Sequence, residues 1–221
     1  MPLALVTGAA RPNSIAASIV PALIGAGWDV ATSDLAGTDH DGDLSTADGP
    51  EALVAAVAAD RGPITALVLS HAHGVESGIL DTTAESFDRH MAVNARASLL
   101  LIAAFARQVP DGGGAIVAMT SDHATGNLPY GASKGALDRI VISAARELGP
   151  MGISANVVNP GPIDTGWMDD ETREGLVPYH PLGRLGEPRD IGEVVSFLVS
   201  PGGRWISGQL LNADGGFTAR Y

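Results

Sequence analysis

Cysteine is absent from the 221-residue chain, which excludes disulfides, thiolate metal sites and a cysteine nucleophile. Basic residues are scarce: 13 Lys and Arg stand against 25 Asp and Glu, for a net charge of −12. That charge argues against nucleic acid or an anionic membrane surface as a partner. Long apolar runs are missing as well. The best, Ala97 to Ala106, is far short of the roughly 18 residues of a membrane span. The N-terminus reads at once as a strand, without a basic segment ahead of a cleavable apolar one. No export signal is therefore expected, and the implied location is cytoplasmic. What is present is 45% hydrophobic and 17% charged, with 28 glycines. This is a compact globular composition rich in tight turns, with length enough for a sizeable core.

The periodicities run in a regular order. Pro2–Val6 is a short apolar run that ends in Thr7-Gly8, and a helical pattern follows from Ser14, with Ile15, Ile19, Leu23 and Ile24 on one face, to Gly25-Ala26-Gly27. Trp28–Ser33 is a second strand closing on Asp34. Strand, turn, helix and strand within about thirty residues make a βαβ unit and predict a parallel sheet. Leu35–Asp48 is polar and acidic with little period; Glu51–Asp60 is helical and Ile64–Ser70 a buried strand. A long helix is predicted over Thr82–Val109, a strand over Ala115–Thr120, a helix over Tyr130–Leu148 and a strand over Ile153–Val158. A Pro/Gly-rich loop then covers Asn159–Pro188, before a helix at Ile191–Val199 and a last strand at Gln209–Asn212. With no linker or repeat, the expectation is one doubly wound α/β domain over 1–221, a Rossmann-type parallel sheet with helices on both faces.

Two stretches carry chemistry. Thr7-Gly8-Ala9-Ala10-Arg11-Pro12-Asn13-Ser14-Ile15-Ala16 joins the first strand to the first helix, where helix N-terminal amides can hold a pyrophosphate. Only Gly8 is glycine, with Ser14 and Ala16 at later small positions. Asp34 ends the second strand 26 residues after Gly8, where a carboxylate accepts from adenosine ribose hydroxyls and repels a 2′-phosphate. Arg11 is the opposing signal, since a guanidinium can pair with a 2′-phosphate. NAD is the preferred cofactor and NADP the alternative. The second stretch is Ser121 to Lys134. Tyr130 and Lys134 are four apart and share a helix face. An ammonium beside a phenol favours the phenolate, which predicts a lowered Tyr130 pKa and an acid/base role. Ser121, at its strand end, can offer a hydroxyl to the same substrate oxygen.

These features resemble the short-chain dehydrogenase/reductase family over nearly the whole chain. The matching motifs are Tyr130-x-x-x-Lys134, Val93-Asn94-Ala95, Asn159-Pro160-Gly161-Pro162-Ile163-Asp164-Thr165 and the tail from Gly183-Arg184-Leu185-Gly186-Glu187-Pro188 through Gly208-Gln209 to Asp214-Gly215-Gly216. The tail is similar to the 3-oxoacyl-carrier-protein-reductase-like branch. The resemblance implies that Tyr130 exchanges a proton with the substrate oxygen and that Lys134 tunes Tyr130 and holds the nicotinamide ribose. It also implies that Ser121 binds the reacting oxygen and that Asn94 anchors a proton-relay water. Gly8, Arg11, Ser14, Ile15, Asp34, Asp43, Leu44, Ser70, Pro160, Gly161, Ile163 and Thr165 would join Tyr130 and Lys134 around the cofactor. Small-molecule alcohols or carbonyls are the implied substrates, the segment from about 161 to 187 their lid, and a homodimer or homotetramer the implied assembly, through apolar faces of helices 82–109 and 130–148.

Four departures from the family pattern shape the expectations. The Ser14-x-Ala16 ending is similar to enoyl reductases, which space their Tyr and Lys more widely, so enoyl reduction is rejected. Only nine positions separate Asp34 from Asp43, so the helix between the second and third strands should be lost and the third strand vestigial. Ser70-His71-Ala72-His73 replaces the usual Asn-Asn-Ala-Gly, and Ser121 stands only nine residues before Tyr130, a shortened loop. Other chemistries fit less well. Ser121, Asp122 and His123 are consecutive and cannot form a hydrolase triad. His71 and His73 fall short of a metal site, though His73 is a candidate to touch substrate. Halohydrin dehalogenases place Arg where Lys134 stands. Asp169-Asp170-Glu171 reads as a solvated face, and Trp167, Met168, Leu176, Val177 and Tyr179 as core packing or an apolar lid. The alternative to an oxidoreductase is a non-catalytic or repurposed dinucleotide-binding protein of the same fold.

Overall fold

The computed structural model describes residues 1–121, 127–166 and 168–219. Asp122, His123 and Trp167 lie outside the described residues. Among the described residues, seven strands form one parallel sheet: β1 (Leu3–Thr7), β2 (Asp29–Asp34), β3 (His40–Asp41), β4 (Ile64–Leu69), β5 (Gly114–Met119), β6 (Ile153–Asn159) and β7 (Leu210–Asn212). Their order is β3-β2-β1-β4-β5-β6-β7. The chain builds outward from β1 to β3, then returns to start the other half at β4. The reversal between β1 and β4 opens a crevice at the strands' C-terminal ends, where ligands bind in such sheets.

Helices cover both faces: α1 (Ile15–Gly25), α2 (Gly49–Arg61), α3 (Ala84–His90), α4 (Ala97–Gln108), α5 (Leu128–Leu148), α6 (Asp170–Leu176) and α7 (Pro188–Val199). Burial on both faces is why the strands read as unbroken apolar runs. Neighbouring strand residues nonetheless point to opposite sides. Leu5, Leu67 and Ile116 join Leu101, Phe105, Leu137 and Val141 of α4 and α5 in one core. Val6, Val68 and Val117 join Ile19 and Leu23 of α1 and Ile191 and Val195 of α7 in the other. α1 and α7 meet closely at Gly192, where a Cβ would stand 2.8 Å from the Ser18 carbonyl oxygen.

The shortened segment after Asp34 behaves as its length requires. There is no helix between β2 and β3, and β3 is two residues long, registered as Ser33 to His40 and Asp34 to Asp41. Side chains tie the turn instead. The Asp34 amide donates to Thr38 Oγ1 at 3.0 Å, and the Thr38 amide to Asp41 Oδ1 at 2.9 Å.

Two segments differ from the sequence expectation. The helix over 82–109 starts at Ala84, capped by Thr83, whose hydroxyl accepts from the Ser86 amide, and Met91–Arg96 within it is π-helical. A π turn carries one extra residue and changes which side chains face inward, and such turns favour functional sites. Here it contains Asn94. The stretch 159–188, expected as loop, holds α6 and a 3₁₀ turn at Val177–Tyr179. Asp169, Asp170 and Glu171 are exposed, as expected of a solvated face; Asp169 also caps α6, its side chain accepting from the Thr172 amide at 2.8 Å, and Asp170 and Glu171 sit in the first turn, where negative charge suits the helix dipole. No described helix is long and apolar enough to cross a membrane.

Candidate active site

The crevice begins where β1 ends. Gly8 has φ +75°, and a Cβ there would lie 2.7 Å from His71 Cα, His71 N and Ser70 O. Only glycine lets the turn after β1 lie against the end of β4. The Gly8 amide donates to Ser33 O at 2.7 Å, which draws the turn towards β2. Asp34 fastens it there, accepting from the Ala10 amide through Oδ2 at 3.0 Å and from the Leu35 amide through Oδ1 at 2.8 Å. A carboxylate has about four acceptor sites, so roughly half remain for hydroxyls. Ser14 is the N-cap of α1, accepting from the Ala17 amide at 3.1 Å and donating to Arg11 O at 2.9 Å. The first amides of the helix, at Ile15 and Ala16, have no intrahelical acceptor and suit an anion.

A cavity of about 500 Å³ opens beside this turn, lined by Asn13, Ser14, Asp164, Thr165 and Arg173 among others. It brings Ser14 and Thr165, both expected at the cofactor, to one wall. Pro160 is buried and Gly161 has φ +62°; a Cβ on Gly161 would meet Asp214 Cβ at 2.6 Å. Ile163 is 6% exposed and bridges to Gly186. Sequence reasoning missed Arg173, which donates to Asp164 Oδ2 at 2.8 Å, to Met168 O at 3.2 Å and to Asp170, pinning α6 over the cavity. On the far side, the Asp43 carboxylate accepts from the Ser45 amide at 2.8 Å. Leu44 is 7% exposed within the core, so its side chain packs inward and only its backbone can face a ligand.

The second cluster stands at the ends of β4 and β5. Lys134 is the chain's single lysine and only 2% exposed. It donates through Nζ to Met119 O at 2.8 Å, and burial pulls its pKa down to about 8. Nζ lies 5.6 Å from the centre of the Tyr130 ring. The expected lowering of the Tyr130 pKa is reversed: burial pushes it above its ordinary value. Desolvation disfavours the phenolate, and Lys134 spends its short contact on the Met119 carbonyl.

Asn94, fully buried, is a brace. Its Oδ1 accepts from the His73 amide at 2.7 Å, and its Nδ2 donates to His73 O at 2.9 Å and to Ser133 Oγ at 2.8 Å. Ser133 donates in turn to Tyr130 O at 2.7 Å. The π turn, the segment after β4 and the start of α5 are thereby joined. A Cβ on Gly74 would touch Tyr130 Cδ2 at 3.5 Å, so that segment runs beside the phenol. Ser121 follows β5, half-buried.

The altered motif after β4 is part of this brace. His71 Nε2 meets Val93 O at 3.1 Å and Nδ1 meets Thr7 Oγ1 at 2.7 Å. A carbonyl only accepts, so Nε2 carries the proton and Nδ1 accepts from the threonine. Burial and the Lys134 charge press its pKa down to about 4. The Ser70 amide donates to Thr7 Oγ1 at 3.2 Å. His73 stacks edge-on against His90 at 4.6 Å, and His90 Nε2 accepts from the Val75 amide at 3.0 Å. Nothing in the sequence marked His90. Among the described residues, no group of three or more His, Asp or Glu is placed to hold a metal ion.

A doubly wound sheet with a tight glycine turn between β1 and α1, a carboxylate at the end of β2 and a Tyr/Lys helix over β5 is the arrangement of a dinucleotide-binding class. Comparison with known proteins narrows this. The family model described as Enoyl-(Acyl carrier protein) reductase matches residues 8–218. An uncharacterized oxidoreductase of Bacillus subtilis is 41% identical over 68% of this chain, and the match spans 63% of that relative's length. A blue fluorescent protein from a metagenomic library, solved in complex with NADPH, superposes with TM-score 0.90 at 32% identity, covering 99% of this chain and 98% of its own. A 3-oxoacyl-[acyl-carrier protein] reductase from Brucella melitensis gives TM-score 0.89 at 30% identity, covering 100% and 98%. The chain belongs to the short-chain dehydrogenase/reductase family.

Proposed function

We propose that the protein is a nicotinamide-dinucleotide-dependent oxidoreductase that interconverts a small-molecule alcohol and a carbonyl, with Tyr130 as the acid/base. The observation that carries this is the buried and solitary Lys134 beside Tyr130, whose backbone carbonyl is braced by Asn94 through Ser133. The crevice fits the dinucleotide on its own geometry. The α1 N-terminus suits the pyrophosphate, Asp34 retains acceptor capacity for ribose hydroxyls, and Thr165, Ile163 and Gly161 border the nicotinamide end. Asp34 favours NAD, and Arg11 is the group that a 2′-phosphate would use. The bound nicotinamide supplies or accepts a hydride. Tyr130, held as the phenol by burial, donates its proton to the carbonyl oxygen as the C–H bond forms, and takes it back in the oxidative direction. Ser121 steadies that oxygen, and the Lys134 ammonium stabilises charge on Tyr130 once its proton has left.

The chain works as one cytoplasmic domain with a lid over about 161–187, in a homodimer or homotetramer; Phe87 and Leu99, 36% and 49% exposed, belong to the helical face expected to pair. Titration with NADH and NADPH, followed by nicotinamide fluorescence, comes first, then a screen of ketones, aldehydes and alcohols. Tyr130→Phe should keep dinucleotide binding and lose about 10²–10⁴-fold in kcat. A variant that keeps its rate removes Tyr130 from the chemistry. Failure to bind either dinucleotide overturns the whole reading, and binding without turnover leaves a dinucleotide-binding protein without catalysis.

A further inference from the structure

Asp138 lies one helical turn beyond Lys134 on α5, on the same face, yet no part of the proposed mechanism uses it. Its Oδ1 is buried and makes no well-formed hydrogen bond, and the buried Thr120 hydroxyl is its polar neighbour, an expensive arrangement for a carboxylate on a helix with exposed positions close by. Burial pushes the Asp138 carboxyl above its ordinary pKa, and the Thr120 hydroxyl next to Ser121 and the Lys134 and Arg139 charges on α5 pull it back towards the carboxylate. Among the described residues, the groups around Lys134 are few. Tyr130 and Asp138 lie on its own helix, the Met119 carbonyl on β5, and His71 at the end of β4. Tyr130 is raised and His71 depressed in pKa, so both are neutral near pH 7. Among the described residues, Asp138 is therefore the group that supplies negative charge to a buried ammonium.

We propose that Asp138 is a positioning residue for Lys134, whose carboxylate one turn along the helix keeps the buried amine in its ammonium form beneath Tyr130. This rests on the oxidoreductase reading for its purpose, but not for its test. A charged Lys134 is what stabilises Tyr130 after proton transfer; a neutral amine would not. Asp138 acts through its field rather than by touching substrate, since the Nζ hydrogen bond goes to Met119. Burial opposes the charge and Asp138 favours it, so the balance between them sets the pH range over which the site holds an ammonium.

The single lysine makes this directly measurable. Protein labelled with ¹³C at the lysine ε-carbon gives one lysine resonance, and its shift against pH reports the Lys134 titration. Wild type should turn over near pH 8. In Asp138→Asn the midpoint should move down by about one pH unit, the scale of losing a neighbouring opposite charge, and Asp138→Glu should restore it. Glu147→Gln, an exposed acid on the same helix, should leave it in place. If a substrate is found, the alkaline fall of kcat/KM should move with the lysine midpoint. An unchanged midpoint in folded Asp138→Asn overturns the proposal; Asp138→Ser is the second variant should the first not fold. A protein that reduces no carbonyl would overturn the proposed function while the lysine titration still decides the role of Asp138.

Discussion

Gly8→Ala is the sharpest test of how the crevice is built. The methyl brings two penalties. One is the left-handed backbone at φ +75°, about 1–2 kcal/mol for a residue with a Cβ. The other is a collision at 2.7 Å with His71 Cα, His71 N and Ser70 O. These are backbone atoms at a strand end and cannot rotate aside, so the overpacking penalty of about 1–3 kcal/mol applies. Gly27→Ala separates the two. Gly27 has φ +88° but nothing within 4 Å of its Cβ position, so it carries the backbone penalty alone. At roughly 2–4 °C per kcal/mol for a chain of this size, Gly8→Ala should melt about 2–12 °C below Gly27→Ala in scanning calorimetry. Equal melting temperatures for the two variants would refute the close approach between β1 and β4. The same collision spreads the crevice, so dinucleotide affinity should fall in Gly8→Ala and hold in Gly27→Ala.

Acid should destabilise the protein through His71. Its pKa is about 4 in the fold against about 6.5 in an unfolded chain, so between those values the unfolded state binds a proton that the native state refuses. Stability present above pH 6.5 is lost as pH falls towards 4, by about 3 kcal/mol in all. Urea midpoints at pH 7.5 and 4.5 should therefore diverge less in His71→Asn than in wild type, and an equal divergence would count against the buried neutral ring. Asp34→Ser should raise affinity for NADPH relative to NADH by about tenfold or more, because a carboxylate facing a 2′-phosphate is unfavourable by several kcal/mol. Fluorescence titrations showing an unchanged ratio would remove Asp34 from the ribose site.

Much of this protein is written in local pattern. Apolar runs separated by helical periods predict alternating strands and helices, and the run lengths predict a parallel sheet covered on both faces. The nine-position spacing from Asp34 to Asp43 leaves no room for a helix and a full strand, and the structure has neither. Tyr130 and Lys134 share a face because helix geometry puts residues four apart together. These are short-range relations, which chain geometry settles without help from distant residues.

What only the tertiary structure decided depends on partners far apart in sequence. The π turn at Asn94 leaves no mark in the hydrophobic period, because it follows from how that helix meets the segment after β4. The purpose of Ser70-His71-Ala72-His73 becomes visible only when Thr7, Val93 and Asn94 arrive around it from other elements. Arg173 and Ser14 share a cavity although most of the chain separates them. The direction of the Tyr130 pKa is the plainest case. Spacing places an ammonium beside the phenol and predicts a lowered value, but the sign depends on how completely the folded protein removes both groups from water, and burial outweighs the neighbouring charge.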